Sequence, residues 1–216
     1  MSTAITIRQI HNFTQDDLDT VVRLYSSAFA ETPLHNISTN GHPELLSKAE
    51  AHGALIGGEV YVAEIDGKVV GAASWFPPGK GLFDSDEQRA RAAGPFMASL
   101  EPEVQKWWME YFLPTYGAEA ERIFTPGYKL ASYHLQTIGV SPDYQGKGIA
   151  KKLIEHVRSK AHPAGVPLCL EAITKLNSDI YTKVGFKLLG EVTLKGPDVV
   201  GKNFEFYLMS WEPKAN

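Results

Sequence analysis

Between Gly139 and Leu153 the chain reads GVSPDYQGKGIAKKL. An apolar, strand-like run gives way to Pro142 and Asp143, and Gly146, Lys147 and Gly148 then stand just ahead of a helical pattern. A strand, a glycine turn and a helix start put several free backbone N–H groups and the positive end of the helix dipole at one spot. That is the chemistry of an anion site, with phosphate as the expected anion. Glycines at 146 and 148 let the main chain approach a ligand with no Cβ in the way. Two familiar phosphate motifs do not fit. The pattern G-x-x-x-x-G-K-[ST] is absent, and G-x-G-x-x-G/A would need a small residue where Lys151 stands.

Other side chains around this turn could do chemistry. Glu171 lies inside the apolar run VPLCLEAI, where a carboxylate is costly unless it is paired or used. Desolvation there is expected to raise its pKa towards the range of a working base, although pairing in the core or orienting an amine would also account for it. His134 and Gln136 should share one strand face with Ile138 by period-two alternation, so either could face a substrate or simply be hydrogen-bonded. Trp75, at the end of a hairpin, is a candidate aromatic wall for a flat or cationic ligand. Cys169 sits between Leu168 and Leu170 with no base beside it in sequence, so it reads as core packing.

The elements that must position these groups are legible as patterns. An edge strand is expected over Ala4–Ile10. A helix should follow, with Thr14 as N-cap, Asp16 and Asp17 in its first turn, and Leu18, Val21, Val22, Tyr25 and Phe29 at helical spacing up to Thr32-Pro33. A second helix is expected from Pro43 to about Leu55. EVYVAEI and KVVGAASWF flank Asp66-Gly67, the signature of a hairpin closed by a type I′ turn. The segment from Phe83 to Phe124 should form two or three helices broken at Pro95, Pro102 and Pro114. It is rich in aromatics, Trp107, Trp108, Tyr111, Phe112 and Tyr116, which suit a layer of core or a lid. A long strand is expected over Tyr128–Val140, a helix after the glycine turn, a strand over Val166–Ile173 and a short helix near Asn177–Lys183. FKLLGEVTL and NFEFYLMSW then close the chain as a strand pair.

Composition limits what such a scaffold can be. The 216 residues are 44% hydrophobic and 21% charged, an ordinary globular balance for one domain. A formal net charge of −4 gives no basic field for nucleic acid. The single cysteine leaves neither a disulfide framework nor a multi-cysteine zinc site, which points to a reducing compartment, and no metal is expected. MSTAITIRQIHNFTQDDL has no basic leader with an apolar core, and no uncharged apolar run reaches about 18 residues. The expectation is a soluble, cytoplasmic protein with no membrane partner, as a monomer or a homodimer.

Gln145, Gly148 and Ala150 form Gln-x-x-Gly-x-Ala after the strand LQTIGV, and Asn177 to Phe186 ends in Tyr-x-x-x-Gly-Phe. With this order of elements, the chain resembles the GNAT superfamily of N-acetyltransferases. The stretch VSPDYQGKG, followed by Leu-Glu-Ala and by an asparagine four residues before the tyrosine, is similar to puromycin-type small-molecule acetyltransferases. One departure is Thr174, which stands where many members carry asparagine. The resemblance implies one α/β domain over residues 1–216. Its central sheet would be mixed, mostly antiparallel and twisted, flanked by helices and splayed between the fourth and fifth strands, and the helices of 79–130 would shape the acceptor pocket. It also implies acetyl-CoA as cofactor. The backbone of Ile138, Gly139 and Val140 would pair with the pantetheine arm, with the Ile138 N–H meeting the thioester carbonyl. Gln145, Gly146, Lys147, Gly148, Ile149, Ala150 and Lys151 would wrap the pyrophosphate, with Asn177 contributing farther along. Tyr181 would protonate the departing thiolate, a task suited to a phenol pKa near 10. Glu171 is the candidate base, and Trp75, His134 and Gln136 are candidate acceptor contacts. The implied function is acetyl transfer to a primary amine of a small molecule by direct attack in a ternary complex. A protein amino terminus or lysine as acceptor, or a non-catalytic coenzyme A-binding module, are the alternatives.

Overall fold

A computed structural model describes residues 4–213 of the chain. Its seven strands form one sheet in the order β1-β2-β3-β4-β5-β7-β6. They are β1 (Thr6–Gln9), β2 (Glu59–Ile65), β3 (Lys68–Phe76), β4 (Tyr133–Val140), β5 (Leu168–Ala172), β6 (Lys187–Lys195) and β7 (Asn203–Trp211). Every neighbouring pair is antiparallel except β4 and β5. The sheet is therefore mixed, mostly antiparallel and helix-flanked, as expected. β1 lies at its edge, shorter than the run Ala4–Ile10 suggested.

Local chemistry explains the first half. α1 (Gln15–Phe29) starts at Thr14, whose hydroxyl accepts from the Asp17 N–H while the Asp17 carboxylate accepts from the Thr14 N–H. Thr32-Pro33 does not merely follow α1; Pro33 opens a further short helix, α2 (Pro33–Ile37). α3 (Pro43–Gly57) follows and ends at the Gly57-Gly58 pair. Asp66 and Gly67 both take positive φ, 50° and 75°, which closes the β2–β3 hairpin as its sequence demanded.

The aromatic segment forms two helical rods in which two of the three prolines are not breaks. The first joins α4 (Asp86–Gln88), a π-helical turn (Arg89–Ala93) and α5 (Gly94–Ser99). The second joins α6 (Pro102–Trp107), a π-helical turn (Trp108–Phe112) and α7 (Leu113–Phe124). Pro95 and Pro114 each follow a wide turn, in which Gly94 and Leu113 bond back five residues to Arg89 and Trp108. The widened turn takes the carbonyl of the preceding turn off the proline ring and absorbs the missing donor, so the rod continues. Only Pro102 separates the rods. α8 (Tyr128–Ala131) occupies the start of the expected long strand, and β4 begins only at Tyr133.

Three apolar clusters hold the layers. α9 (Ile149–Ala161) buries Ile149, Leu153, Ile154, Val157 and Ala161 on one sheet face with Trp75, Leu135, Leu168 and Met209. Each of its large aliphatic side chains contributes about 1.5–3 kcal/mol by burial. α1 and α3 cover the first half of the opposite face, and the aromatic rods cover the second half around Cys169, Phe204 and Phe206. Trp107, Trp108 and Phe112 are thus core, stacked or edge-on to one another. Finally, α10 (Lys175–Lys183) is capped by Thr174, which accepts from the Asn177 N–H.

Candidate active site

The glycine turn has the expected geometry. A 3-10 turn at Pro142–Tyr144 ends β4, and Gly146 and Gly148 take φ of 73° and 77°, with Gly148 as the N-cap of α9. The first bond of that helix runs from the Lys152 N–H to the Gly148 carbonyl, which leaves the N–H groups of Ile149, Ala150 and Lys151 directed out of its end. A Cβ at either glycine would meet nothing within 4 Å, so the space before these amides is open. Gln145, Lys147 and Lys151 are exposed around it. Lys147 and Lys68 both lie over the Tyr144 ring, at 4.6 and 5.4 Å, adding positive charge that the motif alone did not include.

Beside the turn, the sheet opens. β4 and β5 pair only at Tyr133–Leu168, His134–Cys169 and Leu135–Leu170, one step short of Gln136 and Glu171. Beyond that fork, no strand among the described residues pairs with one edge of β4. Ser141 donates to the Val70 carbonyl at 2.9 Å, in the register that pairs Gly139 with Ala72 and Ile138 with Ala73. By antiparallel alternation, Thr137 and Gly139 spend their backbone groups on β3, and Ile138 and Val140 aim theirs at the open edge. Gln145 already donates its side-chain amide to the Val140 carbonyl at 3.3 Å. A free strand edge leading to a helix N-terminus fits the arm and pyrophosphate of coenzyme A: Ile138 and Val140 would hold the arm, and the amides of 146–151 the phosphates.

The strand alternation assumed for β4 fails at this fork. The register against β3 jumps from Ser74–Thr137 to Trp75–Leu135, so Gln136 is an extra, bulged residue. Gln136 and Thr137 both reach Glu50 on α3, whereas Ile138 and Val140 pack on the α9 side. His134 and Gln136 therefore share a face, but Ile138 points to the other one.

Glu171 is the hub of a tight network. Tyr116 donates to its Oε1 at 2.6 Å, Lys129 Nζ lies 3.1 Å from the same oxygen, and His134 Nε2 is 2.7 Å from Oε2. Lys129 also reaches the Tyr116 hydroxyl at 2.5 Å. Burial pushes the carboxyl up, but the Lys129 ammonium and the hydrogen bonds of His134 and Tyr116 outweigh it, and Glu171 is held well below the usual carboxylate range. The expected elevated pKa is thus reversed, because a cation invisible in the local sequence stands against it. His134 is pushed down by burial and by Lys129, and so is neutral near pH 7. Lys129 is lowered by burial but raised more by Glu171 and Tyr116, and stays charged.

Tyr181, on α10, packs edge-on to Phe186 at 6.0 Å, and desolvation raises its phenol, keeping it protonated. Asn177 is half-buried in the first turn of the same helix. Trp75 is 0% exposed within the core under α9 and offers no face to a ligand, which overturns its reading as an aromatic wall; the bulge turned it inward. Cys169 is buried and its thiol is raised by desolvation, so it is silent as read.

Sequence reasoning missed Lys129, Tyr116, Glu50 and Thr137. Tyr116 was noted as one aromatic among several, and no short-range pattern links it to a strand 55 residues away. Glu50 had one available signal: it lies on the face of α3 that also carries Leu46 and Ala54, where a charge is out of place.

Comparison with known proteins agrees with this geometry. Residues 116–188 match the acetyltransferase (GNAT) domain family. A Saccharomyces cerevisiae protein named for increased recombination centers is 37% identical over 93 residues, covering 39% of this chain and 60% of that protein. An uncharacterised N-acetyltransferase of Schizosaccharomyces pombe is 28% identical over 120 residues, 56% of this chain and 48% of that one. The chain thus spans about half the length of the curated relatives it matches. Arylalkylamine N-acetyltransferase 2 from Aedes aegypti superposes with a TM-score of 0.64 at 17% identity, covering 97% of this chain and 99% of that one. Together with the open β4 edge and the glycine turn, these matches make residues 116–188 similar to the acetyltransferase (GNAT) domain family, and the described residues adopt the GNAT fold.

Proposed function

We propose that the chain is an acetyl-CoA-dependent N-acetyltransferase that acts on the primary amine of a small molecule, by direct attack in a ternary complex. The observation that carries this reading is the continuity of the open Ile138–Val140 edge with the amide-lined start of α9. When bound, acetyl-CoA would supply an acetyl carbon activated as a thioester. The Ile138 N–H, aimed into the fork, is placed to donate to a carbonyl oxygen as it gains negative charge. Tyr181, kept protonated by its apolar surroundings, would give its proton to the sulfur that leaves. The acceptor ammonium would lose one proton to solvent before attack and a second as the amide forms; one of the two returns through solvent to Tyr181, so one proton is released overall.

Glu171 fits a different task from the one its sequence setting suggested. Held ionised by Lys129 and hydrogen-bonded on both oxygens, it would orient His134 and Tyr116 at the fork rather than take a proton. Only the opposite-face surface is available to the acceptor, since α9 fills the other side. The rods of 86–124 close that surface, which supports a pocket for a small amine; the similarity of VSPDYQGKG to puromycin-type enzymes and the arylalkylamine activity named for the Aedes aegypti protein point the same way. Incubation with acetyl-CoA and a panel of small amines should release free thiol, and calorimetry should show coenzyme A uptake. Absence of uptake by folded protein would overturn the reading.

A further inference from the structure

A bulge is a choice of register, since the extra residue can sit at more than one position along a strand. In β4 it is Gln136, which leaves Thr137 opposite Ser74 and Ile138 opposite Ala73. With the extra residue at Ile138 instead, alternation would run on unbroken from His134. Thr137 would then face α9, and Ile138 would turn its side chain to the opposite face and its N–H to β3. The geometry of the fork therefore depends on what holds Thr137.

Two side chains hold it. Tyr25, from α1, is 0% exposed, and its hydroxyl donates to the Thr137 carbonyl at 3.4 Å. Ser74 Oγ lies 2.7 Å from that hydroxyl; a phenol has one proton, so Ser74 supplies the proton of this second bond. Burial raises the Tyr25 phenol and keeps it protonated. Glu50, from α3, accepts from the Thr137 hydroxyl at 3.1 Å and from the Gln136 amide at 3.5 Å, the outer limit of such a bond. Gly139 lets α1 come this close, because a Cβ there would stand 3.1 Å from the Tyr25 ring. Tyr25, Glu50, Ser74 and Thr137 are all buried, so a slip would be costly. It would put the Thr137 hydroxyl into the apolar α9 layer and the aliphatic chain of Ile138 against the Glu50 carboxyl.

From this geometry we infer that Tyr25 and Glu50 are positioning residues for acetyl transfer: gripping Thr137 from two helices, they fix the β4 bulge at Gln136 and aim the Ile138 N–H into the fork. The inference rests on the acetyltransferase reading and adds to it the side chains that set its backbone donor. Both residues act through Thr137. Gly139 stays opposite Ala72 in either register, so Val140 and the glycine turn beyond it do not depend on this clamp.

Tyr25→Phe and Thr137→Val each remove one hydroxyl with little change of shape, and together they remove the two shortest bonds of the clamp. Amide hydrogen exchange of the free protein reads the register without any substrate. In wild-type protein Thr137 should exchange slowly and Ile138 fast. In the double variant that difference should disappear, while Gly139 and the amides of α9 stay protected. In thiol-release assays with acetyl-CoA and an amine, the double variant should lose about 100-fold or more in kcat, with coenzyme A affinity near wild type by calorimetry. Thr137→Ser, which keeps the hydroxyl, should retain most of the activity that Thr137→Val loses. Should the double variant unfold, the two single variants carry the same readings. An unchanged difference between Thr137 and Ile138, a kcat near that of wild type, or equal losses in Thr137→Ser and Thr137→Val would each overturn the inference. If wild-type protein releases no thiol while the variants still lose the exchange difference, the clamp on β4 stands and the acetyltransferase reading alone falls.

Discussion

Tyr181 and Glu171 are both shielded from water, yet their neighbours push them to opposite ends of the proton ledger. The phenol meets only apolar partners and keeps its proton, and the carboxyl meets an ammonium and loses its own. Tyr181→Phe should therefore lower kcat by about 100-fold or more while leaving KM for the amine and coenzyme A affinity near wild type, as measured by thiol release and calorimetry. Lys129→Met tests the other group. Removing one partner of a buried pair costs about 3 kcal/mol at neutral pH, readable as a lower urea midpoint. The folded carboxyl of Glu171 lies below its ordinary value of 4.5, so the stability it adds is fully present above that pH. It is lost as pH falls towards the folded value. Wild-type protein should accordingly lose more stability between pH 7 and pH 3 than Lys129→Met, and a variant with an equally steep acid limb would contradict the pairing.

At the scale of elements, the turn into α9 depends on glycine for conformation rather than for room. A Cβ at 148 would touch no protein atom, but the φ of 77° there is strained for any residue with one. Gly148→Ala should cost about 1–2 kcal/mol and weaken coenzyme A binding, because the new methyl group enters the space in front of the helix amides. Urea denaturation and calorimetry read the two effects separately. The β4 bulge is the other decisive element. It turns Trp75 and Leu135 into the α9 core and brings Gln136 and Thr137 together on the face where Glu50 and Glu171 stand.

For the whole molecule, the parallel β4–β5 contact is brief, and the sheet is joined at its middle by the helices above and below it as well as by hydrogen bonds. In the free protein, the Ile138 and Val140 amides should exchange with solvent faster than those of Thr137 and Gly139, which bond to β3. Coenzyme A should slow exchange at Ile138 and Val140. At a concentration of about 100 Kd it should add about 2.7 kcal/mol of stability, raising Tm by roughly 5–10 °C. Protection confined to other strands, with no change at these two amides, would place the ligand elsewhere.

Local grammar was enough for much of this. Thr14 with Asp17, Asp66-Gly67, the stripe of α9 and the positive-φ glycines each act within one or two turns of chain, so the hairpin, the capped helices and the anion-ready turn could be read directly from sequence. The resemblance carried by Gln145, Gly148, Ala150 and Tyr181 pointed to the family whose domain residues 116–188 match. Tertiary structure alone decided the chemistry on the opposite face. Whether Glu171 rises or falls depends on Lys129, which lies on another element, and whether Ile138 shares a face with His134 depends on one inserted residue set by pairing with β3. Pro95 and Pro114 read as breaks, but a widened turn before each lets the rods continue, and so brings Tyr116 to Glu171. Charge and register are properties of what stands opposite, and a linear chain does not record its opposite neighbours.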